Sequence, residues 1–410
     1  MEIESMVQVV DQSWQPEAYQ QRLVDWIRSG ENGFFHPAVA WKRLGPDGTS
    51  GPYAMHAMAD ISKGEKLLVV PRSHTIDSFK THNVCVTVAR MLHEREKGDR
   101  SFYAPYLNYL FDDNTGGTST GLLPSSWSEE GRDLLHYILD GEEEDGLEPK
   151  NFDHGSVFEE CGDSFLGQTA YKPIEDEGLR QKAEDAYIFW LSRSWTDKMI
   201  PVLDMYNHRN GVSKNVESTT AHFDDGAITA FALRDIESGE QLQNTYSECM
   251  DEDCAWGEMQ YTYLTQQIYV DYGFLELYPR RWLLGTDESD VIAEVDQDLR
   301  TGRKSFKWIF ETPSEAIFQW ISHQLKRLRS IDANVRDRIS KHRTKGAGGK
   351  ALRHNIQHEA DSLVELYEGY IEILEMALEH KDGDIGVTRE QFAQDLQNVR
   401  KETQSRYDEL

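Results

Sequence analysis

The chain has 410 residues, enough for two or three domains, and it carries 43 lysines and arginines against 72 aspartates and glutamates. The resulting formal net charge of −29 disfavours non-specific binding to nucleic acid or to anionic membranes. A protein partner with a basic surface would be attracted instead.

Cysteine use and hydropathy bear on the compartment. The four cysteines, Cys85, Cys161, Cys249 and Cys254, are too few and too scattered for a disulfide framework, which points to a reducing compartment. They form no Cys-x-x-Cys pair, so a structural zinc site is not expected. No run of eighteen or more apolar residues occurs, and the acidic start, Met1–Met6, does not resemble a signal peptide. These features predict an intracellular protein, cytoplasmic or nuclear, with a plastid still open if the chain is a processed form.

The first ninety or so residues predict a short helix followed by strands. An amphipathic stripe runs through Gln20–Ser29, and two strand-like segments, Phe34–Trp41 and Tyr53–Met58, follow it. The turn Asp60-Ile-Ser-Lys-Gly-Glu65 then leads into a short apolar run at Leu67–Val70. This pattern is typical of half of a small β-sheet domain.

The next part of the chain is mainly helical in pattern. A helix is predicted at Val84–Glu96, and the phrase Ser101-Phe-Tyr-Ala-Pro-Tyr-Leu107 follows it. A helix over Lys182–Trp195 would return the chain to the sheet domain. We therefore expect a helical insert between two halves of the sheet.

The most informative stretch is Ile200-Pro-Val-Leu-Asp-Met-Tyr-Asn-His208. A short apolar run, which predicts a buried strand end, passes directly into four side chains that can form hydrogen bonds: Asp204, Tyr206, Asn207 and His208. Such a junction is a usual place for binding groups, although a turn with a satisfied histidine would give the same pattern.

Helical patterns dominate after Gly273. Thr312-Pro-Ser-Glu315 combines start signals for one long helix, and apolar residues recur at helical spacing from Leu363 to Leu378 in a second. Thr388-Arg-Glu-Gln391 predicts the start of a third helix, which carries Phe392, Leu396 and Val399.

The order of these parts resembles the SET domain of protein methyltransferases, in the branch typified by the Rubisco large-subunit lysine methyltransferase and the actin histidine methyltransferase. The resemblance rests on Trp190–Trp195, the Asn207-His208 pair, the repeated turn Arg234–Glu240, Tyr246 and Asp271-Tyr-Gly-Phe274. It implies an α+β fold in which the Asn-His segment and the later tyrosine segment cross as a pseudoknot.

The resemblance also implies a domain order. The two SET halves would span residues 15–72 and 193–280, with a helical insert at 73–192 between them and an all-α substrate-binding domain at 281–410. The implied activity is transfer of a methyl group from S-adenosylmethionine to a lysine of a non-histone protein, with no direct role for nucleic acid or membrane.

The same resemblance assigns roles to individual residues. Tyr272 corresponds to the tyrosine whose hydroxyl orients the reacting methyl group and amine. The implied cofactor-binding residues are Tyr53, Met55, Arg193, Asn207 and His208, and the implied substrate-binding residues are Asp204 and Tyr246. No metal is implied.

One departure and three alternatives accompany this interpretation. The family's glycine-rich loop is represented by Gly51-Pro-Tyr-Ala-Met-His-Ala57, which has a single glycine for close approach to the cofactor. A histidine side chain could be the acceptor instead of lysine, and a catalytically degenerate SET fold could act as a protein-binding module. Asp204 and His208, four residues apart, would also suit a metal site if that segment were helical.

Overall fold

The computed structural model describes residues 18–43, 53–78, 83–113, 122–139, 146–149, 152, 155–161, 177–195, 198–210, 213–218, 226–246, 264–286, 289–298, 300–346, 356–383, 385–388, 390–391 and 394. Several features singled out in the sequence lie outside these residues: Gly51, Cys249, Cys254 and most of the helix predicted after Thr388.

The helices and strands follow in chain order. They are α1 (Ala18–Ser29), β1 (Phe34–Phe35), β2 (Val39–Arg43), β3 (Tyr53–Ala57), β4 (Lys66–Val70), α2 (Val84–Glu96), α3 (Ala104–Asn108), α4 (Glu129–Leu139), α5 (Val157–Cys161), α6 (Glu177–Arg193), β5 (Ser194–Trp195), β6 (Lys198–Met199), β7 (Asn207–His208), β8 (Val216–Ser218), β9 (Ile228–Ala232), β10 (Gln243–Asn244), α7 (Thr265–Tyr272), β11 (Arg280–Thr286), β12 (Ser289–Gln297), β13 (Lys304–Ile309), α8 (Glu315–Gly346), α9 (Ile356–Glu379) and β14 (Ile385–Val387). Short 3-10 turns lie at Arg72–His74, Gly98–Arg100, Pro124–Ser126 and Leu203–Met205, and a π-helical turn at Tyr109–Asp113.

The chain forms two compact units. Unit 1 comprises residues 1–119 and 155–246, and unit 2 comprises residues 120–154 and 247–410. Residues 120–154, which fall within the predicted helical insert, therefore belong to the same unit as the C-terminal part. The boundaries implied by the resemblance remain predictions.

Unit 1 is built on a four-stranded sheet with the order β1-β4-β9-β8. One of its two inner strands, β4, contains the predicted apolar run, and Leu67 to Val70 are all buried, as expected for a strand that is covered on both faces. The predicted helix at Val84–Glu96 is α2, and the side chain of Asn83 caps it by accepting hydrogen bonds from the amides of Cys85 and Val86.

The cysteine prediction is wrong for one pair, because Cys85 and Cys161 form a disulfide across 76 residues of sequence. Cys85 lies in the first turn of α2 and Cys161 ends α5, and both helices pack against α6. This packing brings the two Cα atoms to 5.5 Å, a separation that sequence spacing does not reveal. The cysteine argument for a reducing compartment therefore loses its support.

Unit 2 contains the two predicted long helices, α8 and α9, which pack against each other and against α4. It contains in addition a four-stranded sheet with the order β11-β12-β13-β14, which the sequence pattern did not predict. The molecule is α+β, as the resemblance implied. No helix within the described ranges combines the length and apolar character that a membrane span needs.

A buried polar cluster ties three helices of unit 2 together. Glu359 of α9 accepts hydrogen bonds from the Ser128 amide at 3.0 Å and the Ser128 hydroxyl at 2.6 Å, at the start of α4. Its Oε2 atom also lies 2.9 Å from Nε2 of His342 on α8. Both Glu359 and His342 are almost completely buried, so each group depends on the others to offset the cost of leaving water.

We expect Glu359→Gln to destabilise unit 2 by about 3 kcal/mol, because Ser128 and His342 lose a charged acceptor in a dry site. The control is Glu368→Gln on the same helix, where an exposed carboxylate lies 3.1 Å from Arg336 and should contribute less than about 1 kcal/mol. Hydrogen exchange of the α8 and α9 amides measures both losses within the unit concerned.

The same cluster predicts a pH window. The hydrogen bond that His342 donates to Glu359 raises the pKa of His342 above 6.5, so the stabilisation that the charged imidazole contributes is lost as the pH rises through the raised value. Burial alone would raise the pKa of Glu359, but hydrogen bonds from His342 and Ser128 lower it below 4.5. The stabilisation that the charged carboxylate contributes is therefore lost as the pH falls through the lowered value. The difference between wild type and Glu359→Gln should be largest between these two ordinary values, and a pH-independent difference would contradict the assignment.

Candidate functional site

A short parallel pairing forms the centre of the candidate site in unit 1. Asn207 pairs with Gln243 and His208 with Asn244, joining β7 to β10. The side chain of Asn215 holds β10 in place, because its Oδ1 accepts from the Gln243 amide at 2.7 Å and its Nδ2 donates to the Gln241 carbonyl at 2.8 Å. Segments that are distant in sequence therefore meet at residues 207 and 208.

His208 is fixed by contacts with the segment that follows β10. The Tyr246 amide donates to its Nδ1 at 2.9 Å, and the two rings lie 5.1 Å apart. Because Nδ1 accepts, the neutral imidazole carries its proton on Nε2. The Tyr246 hydroxyl in turn donates to the Tyr206 carbonyl at 2.9 Å, which closes a small ring of contacts.

Asp204 lies four residues before His208 in the sequence and is surrounded by polar side chains from other elements. The Tyr106 hydroxyl donates to its Oδ2 at 2.8 Å. Nη1 of Arg193, at the end of α6, donates to the Asp204 main-chain carbonyl at 3.1 Å and lies 3.6 Å from Oδ2. The carboxylate is fully buried, whereas the Arg193 side chain retains 22% of its exposure. We call Tyr106, Arg193, Asp204, Tyr206, His208 and Tyr246 the Asp204 cluster.

Three polar atoms near the β7–β10 pairing have no hydrogen-bond partner among the described residues. They are Oδ1 of Asp204, the hydroxyl of Tyr206 and Nδ2 of Asn244, and all three residues are buried. Buried polar atoms in folded proteins are normally paired. Asp204 and Tyr206 of the Asp204 cluster and the neighbouring Asn244 therefore have hydrogen-bonding capacity that no described residue uses.

Burial controls the protonation states in the cluster. Burial raises the pKa of Asp204 to about 6, against the opposing effects of Arg193 and the Tyr106 hydrogen bond. Burial likewise raises the pKa of Tyr246 to about 12. At neutral pH the cluster therefore holds an ionised carboxylate beside a tyrosine that keeps its proton.

The backbone that presents Asp204 is strained. Val202 is a buried β-branched residue with φ 70° and ψ −37°, a conformation that such residues rarely adopt. It starts the 3-10 turn Leu203–Met205, and Nε1 of Trp41 donates to Sδ of Met205 at 3.2 Å. The surrounding packing holds the turn in place and directs Asp204 towards Arg193.

Tyr53 and Met55, the predicted cofactor-binding residues of β3, lie beside the β7–β10 pairing. The Met55 carbonyl accepts from the Leu242 amide at 2.8 Å, immediately before β10. The Tyr53 ring lies 4.0 Å beneath the Arg43 guanidinium carbon. Burial raises the pKa of the nearby Tyr109, on which the charges of Arg193, Asp204 and Arg43 also act.

Tyr272 belongs to unit 2, where it ends α7 and remains partly exposed. Gly273 follows with φ 76°, and a Cβ at that position would lie 1.8 Å from the Leu122 carbonyl oxygen, so only glycine fits. The side chain of Gln266 in α7 bonds both the amide and the carbonyl of Leu283, which covers the open edge of β11. The position of Tyr272 is thus set by a well-anchored helix.

Of the predicted site residues, the structure brings together Arg193, Asp204, His208 and Tyr246, with Asn207 in the same short pairing. Tyr53 and Met55 lie on the neighbouring strand, and Tyr272 lies in the other unit. The crossing expected between the Asn-His segment and the Tyr272 segment involves both units and stays a prediction.

The sequence interpretation missed Tyr106 as a site residue. Its signal was the Pro105-Tyr106 pair in the phrase that follows α2, to which the sequence interpretation gave no role. The metal-site alternative required Asp204 and His208 to lie on one face of a helix. In the structure, Asp204 lies in a 3-10 turn and faces Arg193, whereas His208 lies in β7 and accepts a hydrogen bond from the Tyr246 amide. Within the described part of the chain, no three His, Cys, Asp or Glu side chains are grouped as metal ligands would be.

Comparisons with known proteins bear on this arrangement. Residues 52–247 match the family model of the SET domain, and that range includes every predicted site residue except Tyr272. A search among curated proteins finds no match.

Among solved structures, the chain is similar to Rubisco LSMT bound to AdoMet, with 12% identity, coverage of 89% of this chain and 93% of that one, and a TM-score of 0.45. It is also similar to the SET domain of LSMT bound to MeLysine and AdoHcy, with 15% identity, coverage of 90% and 94%, and a TM-score of 0.43. Likenesses this distant carry neither an activity nor a substrate from one protein to another.

We expect Arg193→Met to destabilise unit 1 by roughly 2 to 3 kcal/mol, because it leaves the Asp204 carboxylate buried without its cation. The loss should shrink as the pH falls towards about 6, the wild-type pKa of Asp204, because without Arg193 the carboxyl is protonated at a higher pH than in the wild type and protonation removes the uncompensated charge. Hydrogen exchange of the α6 amides at several pH values measures the effect.

Adding Asp204→Asn to that variant provides the control. Removal of the second charge should recover most of the stability, and the double variant should lose the pH dependence. A double variant that is as unstable as the sum of the two single variants would show that the two groups do not interact.

Proposed function

We propose that this chain, in which residues 52–247 match the SET-domain family model, is an S-adenosylmethionine-dependent methyltransferase that acts on a lysine side chain of a non-histone protein. The observation that carries the proposal is that one matched segment contains both the β7–β10 pairing and the buried Asp204 cluster. A fold match alone would leave function open, whereas unpartnered buried polar atoms at its centre argue for a ligand.

The chemical groups of S-adenosylmethionine match the residues that surround the β7–β10 pairing. Its carboxylate would pair with the guanidinium of Arg193, which has five N–H donors and uses Nη1 for Asp204. Its adenine and amino groups would contact Asn207, His208 and the β3 backbone at Tyr53 and Met55. When bound, it supplies a methyl group on a positively charged sulfonium.

The protein's part in the transfer is to bind, orient and exclude water. A lysine amine with an ordinary pKa near 10.4 is neutral in about one molecule in a few thousand at pH 7, and an apolar channel beside a cation lowers that pKa. Tyr246 keeps its proton at neutral pH and can donate to a ligand-side oxygen or hold the channel wall through the Tyr206 carbonyl. We assign to Tyr272 the orienting contact with methyl group and amine, and to Asp204 and Tyr246 the lining of the acceptor channel.

The charge of the chain suggests the character of the partner. With a net charge of −29, the protein should attract a substrate whose methylated lysine lies within a basic surface. The proposed substrate-binding part is residues 281–410, where the long helices α8 and α9 lie together with the sheet β11-β12-β13-β14.

Cofactor binding provides the first test. Isothermal titration with S-adenosylmethionine should give a saturable signal, and Asn207→Ala should weaken it about tenfold, the effect of losing one or two hydrogen bonds. Asn334→Ala is the control, since that side chain bonds Tyr137 on a helix of unit 2. Absence of binding by the wild type would favour a protein-binding module without catalysis.

Transfer provides the second test. Incubation with methyl-labelled cofactor and a lysate of the source cell, followed by mass spectrometry, should identify labelled lysine in a protein. Tyr272→Phe should bind cofactor as the wild type does and lose at least about a hundredfold in rate, because an orienting hydroxyl acts in the transition state. Tyr137→Phe, which removes a hydroxyl on α4, should keep the rate.

Two results would change the assignment. Label on histidine instead of lysine would replace the acceptor and leave the cofactor site unchanged. An undiminished rate for Tyr272→Phe would remove the role given to that hydroxyl.

A further inference from the structure

Tyr106 has no role in the mechanism described so far, although it makes the shortest contact with Asp204. It lies in α3, where Pro105 occupies the start of the helix, and its side chain is completely buried. Its hydroxyl donates to Oδ2 of Asp204 at 2.8 Å from a residue 98 positions away. This buried hydrogen bond therefore joins α3 to a segment of the chain that is distant in sequence.

The two oxygens of Asp204 have different surroundings. Oδ2 accepts from Tyr106 and lies 3.6 Å from Nη1 of Arg193. Oδ1 is buried and has no hydrogen-bond partner among the described residues. Tyr106 and Arg193 thus anchor one side of the carboxylate, and no side chain of the described residues bonds the other side.

We infer that Tyr106 is a positioning residue, whose hydroxyl fixes and keeps ionised the Asp204 carboxylate so that Oδ1 accepts a hydrogen bond from a ligand amine. An amine is the expected class because an ionised carboxylate in a dry site binds a charged N–H donor more strongly than a neutral one. The amine belongs either to the amino-acid part of S-adenosylmethionine or to the acceptor lysine. The inference deepens the proposed function and rests on it.

The ionisation of Asp204 depends on groups from every element packed around it. Arg193 from α6 and the Tyr106 hydroxyl from α3 favour the charged carboxylate, whereas burial opposes it and raises its pKa to about 6. Tyr109 from the π-helical turn and Tyr246 after β10 also face the pair and keep their protons, since burial raises the pKa of each. Removal of the Tyr106 hydroxyl takes away a hydrogen bond to the charged form, so the carboxyl should become protonated at a higher pH.

Tyr103 is a matched control for Tyr106. It caps the same helix, is also buried, and its hydroxyl lies 2.6 Å from Nη2 of Arg90, so that it too bonds a charged side chain. It makes no contact with Asp204. Tyr103→Phe and Tyr106→Phe therefore remove the same chemical group from adjacent turns, and only the second variant should alter the carboxylate.

The experiment measures binding of two amines from pH 5 to 8 by isothermal titration. The probes are S-adenosylmethionine alone and free L-lysine in the presence of S-adenosylhomocysteine. In Tyr106→Phe, the pH below which binding of the relevant amine is lost should rise by about one unit, which makes binding about twofold weaker at pH 7 and about tenfold weaker at pH 5. Tyr103→Phe should follow the wild-type curve.

The two probes distinguish the source of the amine. A shift with S-adenosylmethionine assigns Oδ1 to the cofactor's amino group, and a shift with L-lysine alone assigns it to the acceptor. Infrared titration of the Asp204 carboxyl, obtained by difference from Asp204→Asn, should show the same upward shift in the unliganded Tyr106→Phe protein.

The negative outcomes are also distinct. If the wild type binds both probes and Tyr106→Phe has the same pH curve as Tyr103→Phe, the positioning role is overturned while the methyltransferase proposal stands. If the wild type binds neither probe, the proposed function fails and the amine site fails with it.

Discussion

The candidate site depends on the parallel pairing of two dipeptides, Asn207-His208 and Gln243-Asn244. A ladder this short supplies too few hydrogen bonds to persist alone. It is held from outside by the amide group of Asn215 and by the bond from the Tyr246 amide to His208. His208 is thus both a candidate site residue and one of the contacts that hold the two strands together.

Around that pairing, the protein tolerates features that would be costly elsewhere. A carboxylate is buried with one oxygen unpartnered, a valine adopts a positive φ, and several tyrosines are buried beside an arginine. Each feature costs free energy, and the large apolar cores around the sheet and helices offset it. Such local costs concentrated at one place are typical of a binding site whose groups are arranged before the ligand arrives.

Much of this architecture could be predicted from local pattern. The helix α2 and the apolar core of β4 follow from spacing and flanking residues alone, and Asp204, Asn207 and His208 were recognised because polar groups follow a buried run. Tyr106 was missed because its importance comes from a contact across 98 residues, which no local pattern encodes. The disulfide was missed for the same reason, since helix packing alone brings Cys85 to Cys161.

The sheet of unit 2 was not predicted because a buried charged residue interrupts the apolar pattern of one of its strands. Glu294 lies in the middle of β12 and is buried, which breaks the apolar pattern of a strand, and its carboxylate is compensated by Arg281 on β11 and Lys307 on β13. A charged residue in a core strand is expected only when partners from other strands neutralise it. Those partners are known only once the register of the sheet is known.

The Cys85–Cys161 bridge has a topological effect on how the molecule comes apart. The covalent ring that it closes contains residues 120–154, which belong to unit 2, although both cysteines belong to unit 1. A protease that cuts once inside the ring leaves the two fragments linked until a thiol reduces the bridge. Neither unit is a continuous piece of the gene product, and dissection by truncation would therefore divide both.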